Sequence, residues 1–390
     1  MVENVTRSIV IVGSTGSIGK QALEVVRTHP DELKVVGLAA GTRLDVLGCQ
    51  VRDFQPAFVN SPALAAGQRW QGALTTSLDE LCQLPDADLV LIATVGAIGL
   101  SPTLTAIQAG KLVALANKEV LVMAGERVMA EAKRHGVAIL PVDSEHSAVW
   151  QCFAGDCTLG GDLAASPIER IILTASGGAF RDRPIDELAA VTSDEALSHP
   201  NWVMGPKVTI DSATLMNKGF EVIEAHWLFG LPYDKIDVLL HRESIVHAMV
   251  EFYDGSIRAA LGPPDMRIPV QHALTYPKRC PAPWPRLKLE TIGKLSFSPL
   301  DRQRYPCFGL ALAAAIAGGT APTVLSAADD VAVRLFLEGR IGFSDISNVV
   351  DRALQAHQPL GKPNLEDVVE VDRRTREELE VSIGRGTRRA

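Results

Sequence analysis

One stretch near the start limits what this chain can fold into more than any other. Ser8-Ile9-Val10-Ile11-Val12 is a nearly unbroken apolar run, the pattern of a strand covered on both faces. It feeds into Gly13-Ser14-Thr15-Gly16-Ser17-Ile18-Gly19 and then a helical pattern that ends near His29-Pro30. Strand, glycine turn and helix in that order form a phosphate cradle. The glycines let the backbone close on a pyrophosphate, and the helix N-terminus stabilises its charge. A plain tight turn has the same G-x-x-G-x-x-G spacing; the placement between strand and helix selects the cradle. Further apolar runs at 34–40, 57–60, 89–93, 112–116 and 137–140 alternate with helical stretches. Six β–α repeats of this kind predict a doubly wound parallel sheet of Rossmann type.

The ends of these strands carry the chemistry, because ligands of open α/β sheets bind outside the carboxyl ends of the strands. The second strand ends in Gly41-Thr42-Arg43, without the acid that would bind a ribose 2′-hydroxyl and with an Arg suited to a 2′-phosphate. NADPH is therefore expected in place of NAD. The fifth strand ends in Asn117-Lys118-Glu119 and the sixth in Pro141-Val142-Asp143-Ser144-Glu145-His146. In an extended chain Asp143 and Glu145 point to one side, as half of a site for a hard cation such as Mg²⁺ or Mn²⁺. A polar loop is the plain alternative for a lone D-x-E.

At 390 residues, 47% hydrophobic and 22% charged, the chain is long enough for two or three domains. A net charge of −8 argues against non-specific nucleic-acid binding. The six cysteines are scattered, and the close pair Cys152 and Cys157 lacks the partners of a zinc pattern. With no signal-peptide pattern at Met1–Arg7 and no apolar run of membrane-span length, a reduced cytoplasmic protein is expected.

Residues 1–150 thus read as the NADPH-binding domain and 151–276 as a catalytic or connective domain. A strand at 168–174 precedes Ser176-Gly177-Gly178, and a polar segment over 176–206 carries His199-Pro200-Asn201-Trp202, the pattern of a lid hinged on glycines. A helix over 213–228, capped by Ser212, would place Asn217, Lys218 and Glu221 within about 100° of arc. That face suits phosphate, hydroxyls or metal, and suits a solvated Lys–Glu face equally well. Strands at 236–241, 245–253 and 256–261, the last two joined at Asp254-Gly255, continue the second sheet and offer a subunit contact. Pro277, Pro281, Pro283 and Pro285 mark a linker over 277–306, and four helical patterns over 307–390 predict a small bundle.

With these pieces assembled, the chain resembles the 1-deoxy-D-xylulose-5-phosphate reductoisomerase family nearly end to end. The resemblance rests on GSTGSIG (13–19), ANKE (116–119), PVDSEH (141–146), TASGG (174–178), HPNW-x-MG (199–205), DSAT-x-MNKG-x-E (211–221) and PDMR-x-P (264–269). It implies that Thr15, Gly16, Ser17, Ile18, Gly41, Thr42, Arg43, Asn117, Glu119 and Gly205 contact NADPH. It implies Asp143, Glu145 and Glu221 as ligands of Mg²⁺, Mn²⁺ or Co²⁺. Lys118, Ser144 and Glu145 would meet the sugar, Ser176, Ser212, Asn217 and Lys218 its hydroxyls and phosphate, and His199 and Trp202 would close over it. A homodimer is implied as well. Asp329-Asp330 and His241-Arg242-Glu243-Ser244 depart from the family's usual Asn-Glu and His-Pro-Gln-Ser.

The expected reaction rearranges a 2-keto sugar phosphate and reduces the resulting aldehyde, with the cation polarising the ketone and NADPH delivering hydride. Lys118 and Glu145 are the candidates for moving the hydroxyl proton. Retro-aldol cleavage with re-addition and a direct α-ketol shift both fit these residues. A semialdehyde dehydrogenase shares the glycine spacing but needs a nucleophilic Cys in a polar turn before a helix, which this sequence lacks. A silent NADPH-sensing scaffold would have no use for three separated carboxylates and a lid.

Overall fold

The computed structural model describes residues 6–153 and 166–386. Cys157 lies outside them. Contacts divide the chain into two compact units. The first takes the residues up to Val120, Glu126–Ser166 and Asp265–Leu287; the second takes Leu121–Gly125, Pro167–Pro264 and everything from Lys288 on.

The first unit holds eight strands: β1 (Arg7–Val12), β2 (Leu33–Ala39), β3 (Phe58–Asn60), β4 (Arg69–Trp70), β5 (Ala73–Thr75), β6 (Leu89–Ile92), β7 (Leu112–Leu115) and β8 (Ile139–Pro141). Their order is β4-β5-β3-β2-β1-β6-β7-β8, parallel throughout except for β4. The expected doubly wound sheet is present, with the chain reversing direction across β1. The short strands β4 and β5 were not foreseen, because two or three residues around Gln71-Gly72 carry no periodicity to read. Ile9, Val10 and Ile11 are 0% exposed, as a doubly covered strand requires. Each such side chain contributes about 1.5–3 kcal/mol by burial. The helices of this unit are α1 (Ser17–Thr28), α2 (Leu44–Phe54), α3 (Leu78–Cys82), α4 (Leu100–Gln108), α5 (Glu119–His135) and α6 (Ser144–Phe153).

In the second unit a mixed sheet has the order β12-β11-β9-β10-β13. Its strands are β9 (Ile168–Ala175), β10 (Ile236–Leu240), β11 (Val246–Phe252), β12 (Ile257–Leu261) and β13 (Ser298–Pro299). Before β10 come α7 (Ser193–Ala196), α8 (Pro206–Thr214) and α9 (Met216–Phe229). One long helix from 213 was expected, with Ser212 as its cap. The chain instead breaks at Leu215, which adopts φ 57° and ψ 17° between α8 and α9, so Ser212 lies inside α8.

The next helix, α10 (Arg267–Thr275), returns to the first unit. There Trp150 of α6 packs against His272 and Tyr276, with ring centroids 4.4 and 4.7 Å away. The proline-rich segment stays with it. Lys278 pairs with Glu32 at 2.6 Å, Gln271 donates to the Cys280 carbonyl at 2.9 Å, and Trp284 donates to Gln271 at 3.0 Å. Residues 265–287, expected in the catalytic domain and linker, are therefore a strap on the first unit, held by aromatic and amide contacts that proline spacing does not reveal. After α11 (Leu289–Ile292), the helices α12 (Pro306–Ala317), α13 (Ala321–Leu337), α14 (Asp345–Ala356) and α15 (Leu365–Gly386) form the expected bundle. They share one core with α8 and α9, built on Met216, Phe220, Leu325, Ala332 and Ile346. No described helix is long and apolar enough to cross a membrane.

Candidate active site

In the first unit the glycine turn closes as the sequence demands. Gly13 has φ +93°, and a Cβ there would lie 2.5 Å from the Ala93 carbonyl oxygen, so no other residue fits. The N–H groups of Gly13 and Ser14 both bond the Ala39 carbonyl, and the Ser14 hydroxyl donates to Gln50 at 2.8 Å. Gly16 stands at the N-cap of α1 with no side chain capping it, and Ser17 and Ile18 open the helix. The first N–H groups of a twelve-residue helix thus begin at the turn, an anion-binding arrangement. Arg43 is exposed after β2 beside Gly41 and Thr42, and its guanidinium donates back to the Thr15 carbonyl. A cation is thereby set against the phosphate cradle.

At the end of β7, Asn117 is 1% exposed and its amide is fully used: it donates to Thr94 and the Gly96 carbonyl and accepts from the Val120 N–H. Glu119 is buried in the first turn of α5, and Lys118 stands at that helix's N-cap. The Lys118 ammonium lies 2.5 Å from Asp143. Asp143 is not in an extended D-x-E. α6 begins at Ser144, Asp143 accepts from the Ser144 N–H at 3.0 Å, and Glu145 sits in the first helical turn, where the helix dipole favours an acid. The two carboxylates still offer oxygens within 4.8 Å of each other, and the Ser144 hydroxyl donates to Glu145. Paired carboxylate oxygens are the donor set a hard divalent cation takes, and without one they repel. His146, fully buried with Nδ1 3.9 Å from Asp143, was quoted in a motif but given no role.

The second unit gathers the other predicted residues in two groups. After β9, Gly178 has φ +69°, and a Cβ there would sit 2.5 Å from the Ser212 carbonyl oxygen. The loop thus lies flush on α8. Its close approach brings Ser176, His199 and Ser212 together: His199 Nε2 is 3.0 Å from Ser176 Oγ and 3.2 Å from Ser212 Oγ. The other ring nitrogen, Nδ1, accepts the N–H groups of Asn201 and Trp202 at 3.1 and 2.9 Å. Nδ1 is therefore unprotonated and Nε2 carries the hydrogen. Burial, with the nearby Arg181 guanidinium, lowers the His199 pKa to about 4, so the ring is a neutral donor. Arg181 also donates to the Ser176 carbonyl at 2.9 Å, a role that its place in the sequence did not signal.

The second group is on α9. Asn217 and Lys218 both donate to the Glu221 carboxylate. Lys218 is 3% and Glu221 1% exposed, which rules out a solvated helix face. One turn on, Glu224 is a further carboxylate at 1% exposure that the sequence reading missed; the i, i+3 spacing from Glu221 was the available signal. Much of the segment 176–206, expected as a lid, is anchored to the core. Phe180, Leu188, Val191 and Ala196 belong to the core, and Thr192 and Glu195 form a capping box, so everything up to Ala196 is anchored. Beyond it, Trp202 is half-buried with its ring 6.0 Å from His247, Val203 is 99% exposed and Gly205 is exposed at the start of α8.

Known proteins resemble this chain over nearly its whole length. Three family models match: 1-deoxy-D-xylulose 5-phosphate reductoisomerase over residues 9–125, its C-terminal domain over 139–229, and the DXP reductoisomerase C-terminal domain over 261–378. The 1-deoxy-D-xylulose 5-phosphate reductoisomerase of Pelotomaculum thermopropionicum is 51% identical over 378 residues, covering 94% of this chain and 96% of that one. That of Geobacillus kaustophilus is 50% identical over 374 residues, covering 93% and 96%. Among solved structures, DOX-P reductoisomerase in complex with NADPH, fosmidomycin and magnesium superimposes with a TM-score of 0.90 at 38% identity, covering 97% of this chain and 98% of that one. The Zymomonas mobilis enzyme in complex with NADPH gives 0.87 at 37% identity, covering 97% and 99%. The chain belongs to the 1-deoxy-D-xylulose 5-phosphate reductoisomerase family.

Proposed function

We propose that this chain converts 1-deoxy-D-xylulose 5-phosphate to 2-C-methyl-D-erythritol 4-phosphate, using NADPH and a divalent cation, in non-mevalonate isoprenoid biosynthesis. The observation that carries this is about half-identity to reductoisomerases across 94% of the chain. In the proposed site, α1's N-terminus with Thr15, Gly16, Ser17 and Ile18 binds the pyrophosphate of NADPH. Arg43, beside Gly41 and Thr42, reads its 2′-phosphate, while Asn117, Glu119 and Gly205 complete the cofactor side. Asp143, Glu145 and Glu221 hold one divalent ion. When bound, the ion polarises the substrate carbonyl and NADPH supplies hydride.

The chain's own groups do the rest. Ser176, Ser212 and His199 Nε2–H donate to the phosphate, and Asn217 and Lys218 hold phosphate and hydroxyl oxygens. Ser144 meets the sugar. In this reading Lys118 Nζ, which pairs with Asp143, and Glu145 hold and move the proton of the substrate hydroxyl that ionises during rearrangement. Trp202 covers the substrate from the short lid and excludes water.

Two further assignments belong to this reading. The edge strand β12 is exposed, with Ile257 at 52% and Leu261 at 42%, and pairs with a second copy to make a homodimer. The free thiols, two of them fully inside at Cys82 and Cys307, suit a reducing cytoplasm. The direct test follows NADPH oxidation with the sugar phosphate. Activity should vanish with EDTA and return with Mn²⁺ or Mg²⁺; activity indifferent to chelation would refute the reading.

A further inference from the structure

An ion cluster inside the second unit lies outside every role assigned above. α8 starts at Pro206, directly after the lid end at Gly205, and Lys207 is its second residue. The Lys207 ammonium lies 2.6 Å from Asp211 one turn along the same helix, 2.9 Å from Asp329 on α13 and 3.4 Å from Asp330. It also stands 4.9 Å from the centre of the Phe220 ring on α9. Asp211 and Asp329 are 2% and 0% exposed. Asp330 in turn takes Arg376 of α15 at 2.7 Å, and Arg376 takes Asp372 at 2.9 Å. One lysine is thus the hub on which α8, α9 and α13 meet, with α15 tied on behind it.

Burying two carboxylates against a part-buried ammonium is costly, and apolar side chains of the same volume would hold these helices together without that cost. A cluster of this kind fixes placement rather than adding stability. Burial, with repulsion of Asp211 by Asp329 and of Asp329 by Asp330, holds both carboxyls above the usual range, against the pull of Lys207.

The placement it controls is specific. Ser212 follows Asp211 directly and lies 3.2 Å from His199, and the Thr209 N–H and hydroxyl both bond the Gly205 carbonyl at about 3 Å. We propose that Lys207, clamped between Asp211 and Asp329, is a positioning residue that fixes the first turn of α8, and with it Ser212, for binding of the sugar phosphate. The inference rests on the assignment of Ser212 and His199 to the substrate.

Three variants test it, with KM for 1-deoxy-D-xylulose 5-phosphate, kcat and NADPH affinity measured on folded protein. Lys207→Met should raise the sugar-phosphate KM by about tenfold or more while NADPH affinity stays within about twofold of wild type. Asp329→Asn keeps the shape and a hydrogen-bonding group between Lys207 and Asp211, so its KM should stay within about threefold of wild type. Should Lys207→Met not fold, Lys207→Met/Asp329→Asn removes one of the stranded charges and is read by the same criterion. Ser212→Ala separates the two layers: a raised KM upholds the substrate assignment, and an unchanged KM removes it and the inference together. A raised KM in Ser212→Ala beside an unchanged KM in Lys207→Met, even with a lowered melting temperature, would make the cluster purely structural and overturn the proposal.

Discussion

His199 shows how much a single side chain is determined by its neighbours. The Asn201 and Trp202 N–H groups fix the tautomer, and burial keeps the ring neutral with its pKa near 4. Its folded pKa lies below the unfolded value of about 6.5, so the unfolded chain takes up a proton first. This group's contribution to stability is full above about pH 6.5 and is lost as pH falls toward 4. Activity, in contrast, should show no titration of His199 between about pH 6 and 8. Gln keeps an N–H donor, so His199→Gln should retain the wild-type shape of the kcat/KM–pH profile, whereas His199→Ala should lose about tenfold or more in substrate KM. An arm of the wild-type profile near pH 6.5 that disappears in His199→Gln would show a working acid–base group instead. The sequence exposed His199 through its lid motif, but the tautomer depends on backbone N–H groups that only the turn brings to the ring. Lys218 and Glu221 were legible as one face of a helix. That the face is buried was not, because burial is set by tertiary contacts that a helical pattern does not carry.

Elements with strong periodicity were readable almost to the residue. Four helices stand over the C-terminal stretch where four helical patterns were read, and β1, β6, β7 and the hairpin of β11 and β12 lie where apolar runs and Asp254-Gly255 put them. What escaped were elements set by tertiary contact. The break at Leu215 divides a continuous helical pattern, and the anchored first part of the lid looks polar because its core residues are widely spaced. The Gly178 turn is where local conformation controls the site most directly. Gly178→Ala puts a Cβ into the Ser212 carbonyl at a positive φ, a strain of order 1–3 kcal/mol. We expect a lower melting temperature together with a raised sugar-phosphate KM, since Ser176 and Ser212 are pushed apart. Thermal melts that match wild type would show that the loop yields and that its fit on α8 is not required.

For the whole molecule, the division into two units departs from the order of the chain. Residues 265–287 rejoin the first unit because Trp150, Gln271 and Trp284 pack them there, a choice made by contacts and invisible to proline counting. Each unit has its own sheet, and the exposed edge of the second makes a prediction at this scale. Ile257→Lys with Leu261→Lys should shift the mass measured by light scattering from dimer to monomer; an unaltered mass would place any subunit contact elsewhere. The central claim is the proposed ligand set of one divalent ion, Asp143, Glu145 and Glu221. Its most direct test is kcat as a function of Mn²⁺ concentration for Asp143→Asn and Glu221→Gln, with NADPH affinity measured in parallel. Both variants should need far more Mn²⁺ or fall by several kcal/mol in transition-state stabilisation, with NADPH binding unchanged. Wild-type Mn²⁺ dependence in Glu221→Gln would contradict the account.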